Sequence, residues 1–287
     1  MAAVSTLAPR APSERPIAVF DSGVGGLTVL QELLVELPHE DFLYLGDTAR
    51  FPYGERSAAE LERFALEIGE LLLTRRAKLL VVACNAASAS AMGALRERML
   101  STTLGVHVTG VIEPESRRAA ATSRNRRVGL LATTATVRSG AYARALATHA
   151  PDAQLTSVAC PDLAPIIQQG FPLDRRVVET VRGYCAPLRE AGVDTVILGC
   201  THYPLIAPML QRMLGSGVTL ITSGRSLAVS VAAALDEAGL RATRQSEGEY
   251  RFLCTGDVDA FRELGSRFLQ MPIEHIEHVR FPLAEAA

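Results

Sequence analysis

Residues 195 to 204 read Thr-Val-Ile-Leu-Gly-Cys-Thr-His-Tyr-Pro, a short apolar run that ends in a cysteine. This pattern predicts a buried parallel strand, with Cys200 at the point where the strand gives way to a turn. In an open parallel sheet the carboxyl ends of the strands face the ligand crevice, and the next helix directs its positive N-terminus there. We therefore expect Cys200 to lie at a functional site, with its thiol biased toward the thiolate.

A second stretch has the same construction. Residues 78 to 89 read Lys-Leu-Leu-Val-Val-Ala-Cys-Asn-Ala-Ala-Ser-Ala, an apolar strand that ends in Cys84 before a helix-forming run. Each cysteine also follows an earlier polar strand end, since Asp21-Ser22 lies 63 residues before Cys84 and Thr133-Thr134 lies 67 residues before Cys200. The repetition predicts two similar halves whose cysteines form opposite walls of one cleft.

Strand and helix patterns alternate along the whole chain, starting with a strand at 17–20 that leads into a glycine-rich turn. Such alternation predicts parallel sheets covered by helices. We therefore predict an α/β fold of two pseudo-symmetric parallel-sheet domains, with the active site in the cleft between them. Residues 1–15 contain Pro, Ser and Arg but no apolar core, and we interpret them as a disordered N-terminal tail.

Composition narrows the class of ligand. The 287 residues carry a formal net charge of -2, which gives no general attraction to nucleic acid or to an anionic membrane, so a small molecule is the expected partner. No apolar run is long enough to span a bilayer. The five cysteines are an odd number and widely spaced, which favours free thiols in a reducing cytoplasm. Cys160, Cys185 and Cys254 are interpreted as inert core.

The sequence contains parts of a dinucleotide-binding motif and of a zinc site, and each lacks required residues. The turn Gly23-Val24-Gly25-Gly26 would need a third glycine at position 28 to match a dinucleotide fingerprint, and that residue is Thr28. We expect these glycines to let the backbone approach a small anion instead. His202 and Cys200 could both ligate a metal, but a zinc site needs three or four ligands and the chain has no Cys-x-x-Cys or His-x-x-x-His partner. We predict no metal and no cofactor.

Five motifs together carry a family resemblance. They are Asp21-Ser22-Gly23-Val24-Gly25-Gly26-Leu27, Gly46-Asp47-Thr48-Ala49-Arg50 with Pro52-Tyr53-Gly54, Cys84-Asn85 with Ala87-Ser88-Ala89, Gly110-Val111-Ile112-Glu113-Pro114, and Gly199-Cys200-Thr201-His202-Tyr203-Pro204. In this order they resemble the signature set of the glutamate racemases, within the wider aspartate/glutamate racemase group.

The resemblance implies a cofactor-independent enzyme that supplies D-glutamate for peptidoglycan synthesis. It implies that the end of the chain returns to the first domain, which gives 16–111 plus 225–287 as the first domain and 112–224 as the second. The resemblance is also compatible with a homodimer and with activation of the enzyme by a cell-wall precursor. The residues expected at the substrate are Asp21, Ser22, Pro52, Tyr53, Gly54, Asn85, Ala86, Thr133, Thr136, Thr201 and His202.

The chain departs from the family pattern at four positions. Ala86 stands where the family usually has threonine, so a hydroxyl near the substrate carboxylate is lost while the backbone N–H remains. Gln168 stands where an acidic residue commonly lies near the second cysteine, which puts acid/base help from that position in doubt. Glu115 stands in place of a glycine, and Thr222 stands in place of an acidic residue. We interpret both replacements as peripheral to the site.

Racemisation explains why two cysteines are needed. The reaction removes the α proton from one face of the substrate carbon and returns a proton to the other face, so it needs two acid/base groups on opposed walls. Cys84 and Cys200 fill these roles, with Asp21 assisting Cys84 and His202 assisting Cys200. A racemase of another small acid such as aspartate, a one-cysteine decarboxylase, and a non-catalytic two-lobed amino-acid-binding protein remain alternatives.

Overall fold

The computed structural model describes residues 11–102, 105–171 and 174–281. Ten parallel strands in this part of the chain form two sheets. The first sheet has the order β10-β9-β2-β1-β3-β4 and the second has the order β6-β5-β7-β8. The strands are β1 Ile17–Asp21, β2 Phe42–Gly46, β3 Leu79–Val82, β4 His107–Gly110, β5 Arg127–Ala132, β6 Gln154–Ala159, β7 Thr195–Gly199, β8 Thr219–Ile221, β9 Tyr250–Cys254 and β10 Ile276–His278.

Eleven α-helices in the described residues cover these sheets. They are α1 Leu27–Glu36, α2 Ala58–Thr74, α3 Asn85–Leu100, α4 Ile112–Thr122, α5 Thr134–Ser139, α6 Ala141–His149, α7 Leu163–Gln168, α8 Arg175–Glu190, α9 Ala207–Leu214, α10 Ser223–Glu237 and α11 Val258–Leu269. In the same residues no helix is long and apolar enough to cross a membrane.

The two sheets share one strand order. The series β2-β1-β3-β4 in the first sheet corresponds to β6-β5-β7-β8 in the second, and β9 and β10 extend only the first sheet, beyond β2. The central strands β1, β3 and β7 are buried along their whole length, as expected of parallel strands covered on both faces. The predicted α/β fold with two pseudo-symmetric parallel sheets is therefore confirmed. Cys84 follows β3 and Cys200 follows β7, which are equivalent strands.

The domain boundaries stay a prediction. Strands β1 to β4, β9 and β10 belong to one sheet and β5 to β8 to the other, which agrees with a division near 111 and with the return of the final segment. The second predicted boundary, at 224, falls inside the first turn of α10.

Some local features differ from the sequence-based expectation. The Thr133-Thr134 strand end leads into two short helices, because Gly140 has a left-handed backbone (φ 65°) and separates α5 from α6. Of the predicted tail, residues 1–10 lie outside the described residues. Residues Pro12–Glu14 form a 3-10 turn, and the backbone oxygen of Ser13 accepts a hydrogen bond from Lys78 at 2.6 Å.

Candidate active site

A pocket lies where the carboxyl ends of the two sheets meet, and it contains both predicted cysteines. All of the predicted site residues except Asp21 and Thr136 line it. Its lining consists of Ser22, Phe51, Pro52, Tyr53, Gly54, Glu55, Cys84, Asn85, Ala86, Thr133, Pro161, Ala164, Pro165, Gly199, Cys200, Thr201 and His202. Phe51, Glu55, Pro161, Ala164, Pro165 and Gly199 were not expected from the sequence. The roles of the lining residues remain predictions.

Cys84 lies directly at a helix N-terminus. It has an extended backbone and is the N-cap residue of α3, and its carbonyl oxygen accepts from the N–H of Ser88 at 2.8 Å. The first N–H groups of a helix point toward its N-cap, so the thiol lies in the positive field of α3. Hydrogen bonds from Ser22 and from the backbone of Ala87 also favour the Cys84 thiolate.

The two predicted residues outside the lining lie just behind it. The carboxylate of Asp21 is fully buried and accepts from the Gly23 N–H at 3.0 Å and from the Thr201 hydroxyl at 3.3 Å. Its negative charge raises the pKa values of both Cys84 and Cys200, so it lies near both thiols. The hydroxyls of Thr136 and Thr133 lie 3.0 Å apart, which places Thr136 in support of a lining residue.

Cys200 has a different partner. Its Sγ lies 3.9 Å from Nδ1 of His202, and Nε2 of His202 lies 2.9 Å from Oε1 of Gln168. Because an amide oxygen only accepts, Nε2 carries the ring hydrogen and the free electron pair of Nδ1 faces the thiol. The expected helix does not follow Cys200 directly, since a 3-10 turn at Tyr203–Ile206 comes before α9.

The glycine turn serves packing between the two halves of the molecule. A Cβ atom at Gly25 would lie 2.4 Å from Nδ1 of His202 and 2.4 Å from the hydroxyl oxygen of Thr201. Any side chain at Gly25 would therefore displace the imidazole that faces Cys200. This close approach explains the glycine at position 25, and the expected approach of the turn to a small anion stays a prediction.

A buried ion cluster fixes the turn at Pro52, Tyr53 and Gly54. The Tyr53 hydroxyl donates to the buried carboxylate of Asp47, and Nε of Arg50 donates to the same group at 2.6 Å. The backbone oxygen of Gly54 accepts from the N–H of Ala135 at 2.7 Å, so this turn of the first half contacts the second half.

Known proteins of similar sequence identify the family of this chain. The family described as Asp/Glu/Hydantoin racemase matches residues 28–231. The chain belongs to this family. It is 44% identical over 273 residues to the glutamate racemase of Beutenbergia cavernae, which covers 92% of each chain.

Two solved glutamate racemases also resemble the structure. Isoform RacE1 of Bacillus anthracis superposes with a TM-score of 0.89 at 36% identity, covering 94% of this chain and 99% of that one. The Escherichia coli enzyme, solved with L-glutamate and the activator UDP-MurNAc-ala, gives a TM-score of 0.75 at 30% identity and covers 93% and 98% of the two chains. The predicted resemblance to glutamate racemases is confirmed, and with it the enzyme class, an amino-acid racemase.

In this racemase the expected bias of Cys200 toward the thiolate is wrong, and the pKa of the Cys84 thiol is shifted in the same direction. Burial raises the pKa of Cys84 to about 12, more than the hydrogen bonds from Ala87 and Ser22 lower it. Burial likewise raises the pKa of Cys200 well above its ordinary value. A strand pattern places a thiol at a strand end but does not reveal how deeply the folded protein buries it.

His202 is held as a neutral ring. Burial lowers its pKa to about 4, and the ring lies between Phe51 and Phe268, with centroids 5.5 and 5.3 Å away. Among the described residues, no group of three or more His, Cys, Asp or Glu side chains could hold a metal ion. Cys160, Cys185 and Cys254 are buried free thiols outside the pocket lining.

Glu115 was interpreted as peripheral, and the structure contradicts this. Its side chain is fully buried, and its carboxylate accepts hydrogen bonds from Tyr142, Ser223 and the pocket residue Asn85. Burial raises the pKa of Glu115 to about 8. A sequence signal did exist, since an acidic residue replaced a glycine immediately after a motif, but its partners come from distant parts of the chain.

Proposed function

We propose that this racemase interconverts L- and D-glutamate with Cys84 and Cys200 as the two acid/base groups. One observation carries the proposal: equivalent strands of the two sheets, β3 and β7, end in thiols that line the same pocket. In this scheme the thiolate of Cys84 takes the α proton of D-glutamate, and the thiol of Cys200 donates a proton to the opposite face. The reverse reaction exchanges these roles, and each thiol then equilibrates with solvent.

The thiolate forms with help from the substrate. Burial opposes a charged thiol in the isolated pocket, because the thiolate loses its hydration. The α-ammonium group of a bound amino acid brings a positive charge next to the thiols, and an opposite charge within about 4–6 Å favours the charged form. Substrate binding and deprotonation of the first cysteine are thus coupled.

The assistants act on their thiols in different ways. Nδ1 of His202 is placed to accept a hydrogen bond from the thiol of Cys200 and so to orient its proton, since the neutral ring presents an electron pair there. Asp21 bonds to Thr201 and to the turn at Gly23, so in our proposal it orients the wall near Cys84. Ser22, Asn85, Thr133 and Thr201 offer hydroxyl and amide groups to the zwitterion, and Ala86 offers its backbone N–H.

Isotope labelling tests the two-base scheme. When L-glutamate is converted in D2O, the D-glutamate formed should carry solvent deuterium, while recovered L-glutamate stays largely unlabelled at early times. The asymmetry arises because the abstracting thiol keeps the substrate proton and the opposite thiol delivers a deuteron. Equal early labelling of substrate and product would show that one base serves both faces. Faster turnover of aspartate, or binding of glutamate without racemisation, would favour the alternatives.

The physiological setting is part of the same proposal. We infer that the enzyme supplies D-glutamate for peptidoglycan in the cytoplasm, where the five free cysteines stay reduced. Because the Escherichia coli relative was solved with UDP-MurNAc-ala as activator, activation by such a cell-wall precursor is a hypothesis for this chain. Rate measurements with and without that compound test the activation, and sedimentation of the protein tests whether it is a homodimer.

A further inference from the structure

Only the NH2 group of the Asn85 side-chain amide has hydrogen-bond partners among the described residues. Its Nδ2 donates to the Tyr142 hydroxyl at 2.7 Å and to Oε2 of Glu115 at 3.3 Å, so both amide hydrogens have partners. Its Oδ1 is buried and has no hydrogen-bond partner among the described residues. Asn85 lines the pocket next to Cys84, and its exposed fraction is only 3%. A buried amide oxygen without a partner is costly, which points to a ligand that donates to it.

Glu115 determines which way this amide faces. Its Oε1 accepts from the Ser223 hydroxyl at 2.5 Å, and its Oε2 accepts from Tyr142 and Asn85. Burial raises the pKa of Glu115 to about 8, so above this pH the group is a carboxylate. If the Asn85 amide were then turned over, Oδ1 would face a carboxylate oxygen, and two acceptors would meet without a hydrogen between them. Tyr142 keeps its hydrogen, because burial and the neighbouring Glu115 raise its pKa well above the ordinary value.

The network also joins the two halves of the molecule. Asn85 opens α3 beside the first sheet, whereas Glu115 and Tyr142 lie on α4 and α6, and Ser223 opens α10. Helices α3, α4, α6 and α10 therefore all contribute a side chain to the network that holds one amide at the pocket wall.

We propose that Glu115 is a positioning residue that, with Tyr142, orients the Asn85 amide so that Oδ1 receives the α-ammonium group of the bound amino acid. This rests on the proposed function, since it concerns how that amino acid is held. An ammonium group is a donor without acceptor capacity, so it suits a lone oxygen and is repelled by an amide NH2. Glu115→Gln removes the preference, because a neutral amide at 115 can pair with either edge of Asn85.

Comparison of two ligands by calorimetry at about pH 9, where the carboxyl of Glu115 is ionised, tests the proposal. Racemic glutamate keeps its composition during turnover, and glutarate has the same two carboxylates but no ammonium group. For Glu115→Gln we expect the Kd for glutamate to rise about tenfold, as for a lost hydrogen bond to a charged group, while the Kd for glutarate changes less than about twofold. Tyr142→Phe should act in the same direction. Glu113→Gln, an exposed carboxyl on the same helix, should change neither value.

The outcomes separate this proposal from the proposed function. Equal weakening of both ligands would show that the network only shapes the pocket, and unchanged binding of both would show that Glu115 is idle; either result overturns the proposal. Tyr142→Phe gives an independent answer if Glu115→Gln does not fold. Glutamate bound without racemisation by the wild-type protein would disprove the proposed function, while the Kd ratio would still decide the role of Glu115. A wild-type protein that does not bind glutamate would overturn both.

Discussion

The two thiol ends of the pocket occupy equivalent places in the two sheets but are built differently. Cys84 is the N-cap of α3, and the amide beside it, Asn85, is anchored by the buried carboxyl of Glu115. Cys200 is followed by a 3-10 turn, and the ring near it, His202, is anchored by the neutral amide of Gln168. One end thus has a helix terminus and an acidic anchor, and the other has an imidazole and a neutral anchor.

The difference shows how a repeated fold can handle two proton transfers that are not identical. A helix N-terminus stabilises a thiolate through its field, without exchanging a proton. A neutral imidazole accepts a hydrogen bond from the thiol and orients its proton, without supplying a field that favours the thiolate. The shared strand order positions the sulfur atoms, and the residues around each sulfur decide how its proton is handled.

The largest expected effect comes from removing either thiol. Cys84→Ser and Cys200→Ser should each lower the rate of racemisation by at least about 100-fold in both directions, because both directions pass through one transition state and a hydroxyl is a far poorer base. Circular dichroism of glutamate, started from each enantiomer, measures the rates.

Exchange of the substrate α hydrogen by the cysteine variants tests which thiol acts on which enantiomer. In D2O, Cys200→Ser should exchange the α hydrogen of D-glutamate only, and Cys84→Ser that of L-glutamate only. Cys254→Ser is a matched control, since its buried thiol donates to the Gly256 oxygen at 3.6 Å and a hydroxyl can do the same. Near-native racemisation by either active-site variant would show that the two ends are not both required.

The assistants at the Cys200 end give a smaller effect. His202→Ala should lower kcat/KM for D-glutamate by about 100-fold, and Gln168→Ala by less than about tenfold, because the ring contacts the thiol and the amide only fixes the ring. Both variants should keep the far-ultraviolet dichroism of the wild type. A larger loss from Gln168→Ala would reverse the order and make the anchor the more important group.

The sequence predicted the repeated sheets and the positions of their cysteines better than the shorter elements around them. Apolar strands that end in cysteine, together with the glycine turn, were sufficient to place Cys84 and Cys200 at matching strand ends, because strand periodicity is a local property of the chain. The short strand β10 and the helix α7 were missed, since each is short.

Burial and anchoring could not be predicted in the same way. The raised pKa of Cys84 comes from its burial in the folded protein, and the partners of Glu115 lie at positions 85, 142 and 223. Such contacts depend on tertiary packing that no window of sequence contains. The buried contacts of Glu115 and the close approach of His202 to Gly25 therefore emerged only from the structure.

The remaining expected effect is on stability, not on rate, and concerns the acidic anchor and the pH dependence of unfolding. Burial raises the pKa of Glu115 to about 8 in the folded protein, whereas an unfolded glutamate titrates near 4.3. Between these values the folded state holds one proton more than the unfolded state at this site, so the contribution of Glu115 to stability is present at low pH and is lost as pH rises toward 8.

Glu115→Gln removes this titration and leaves Gln168, the neutral anchor at the other end, untouched. The free energy of unfolding of the variant, relative to wild type, should therefore rise between pH 5 and pH 8 by at most about 1.4 kcal/mol per pH unit, and then level off. Any constant offset from altered hydrogen bonds does not change that slope. Urea titrations of wild type, Glu115→Gln and Glu62→Gln, a control at an exposed carboxyl on α2, at about pH 5.5, 7 and 8.5 measure it. Parallel curves for all three proteins would mean that Glu115 is charged throughout, and that the two anchors differ less than their residue types suggest.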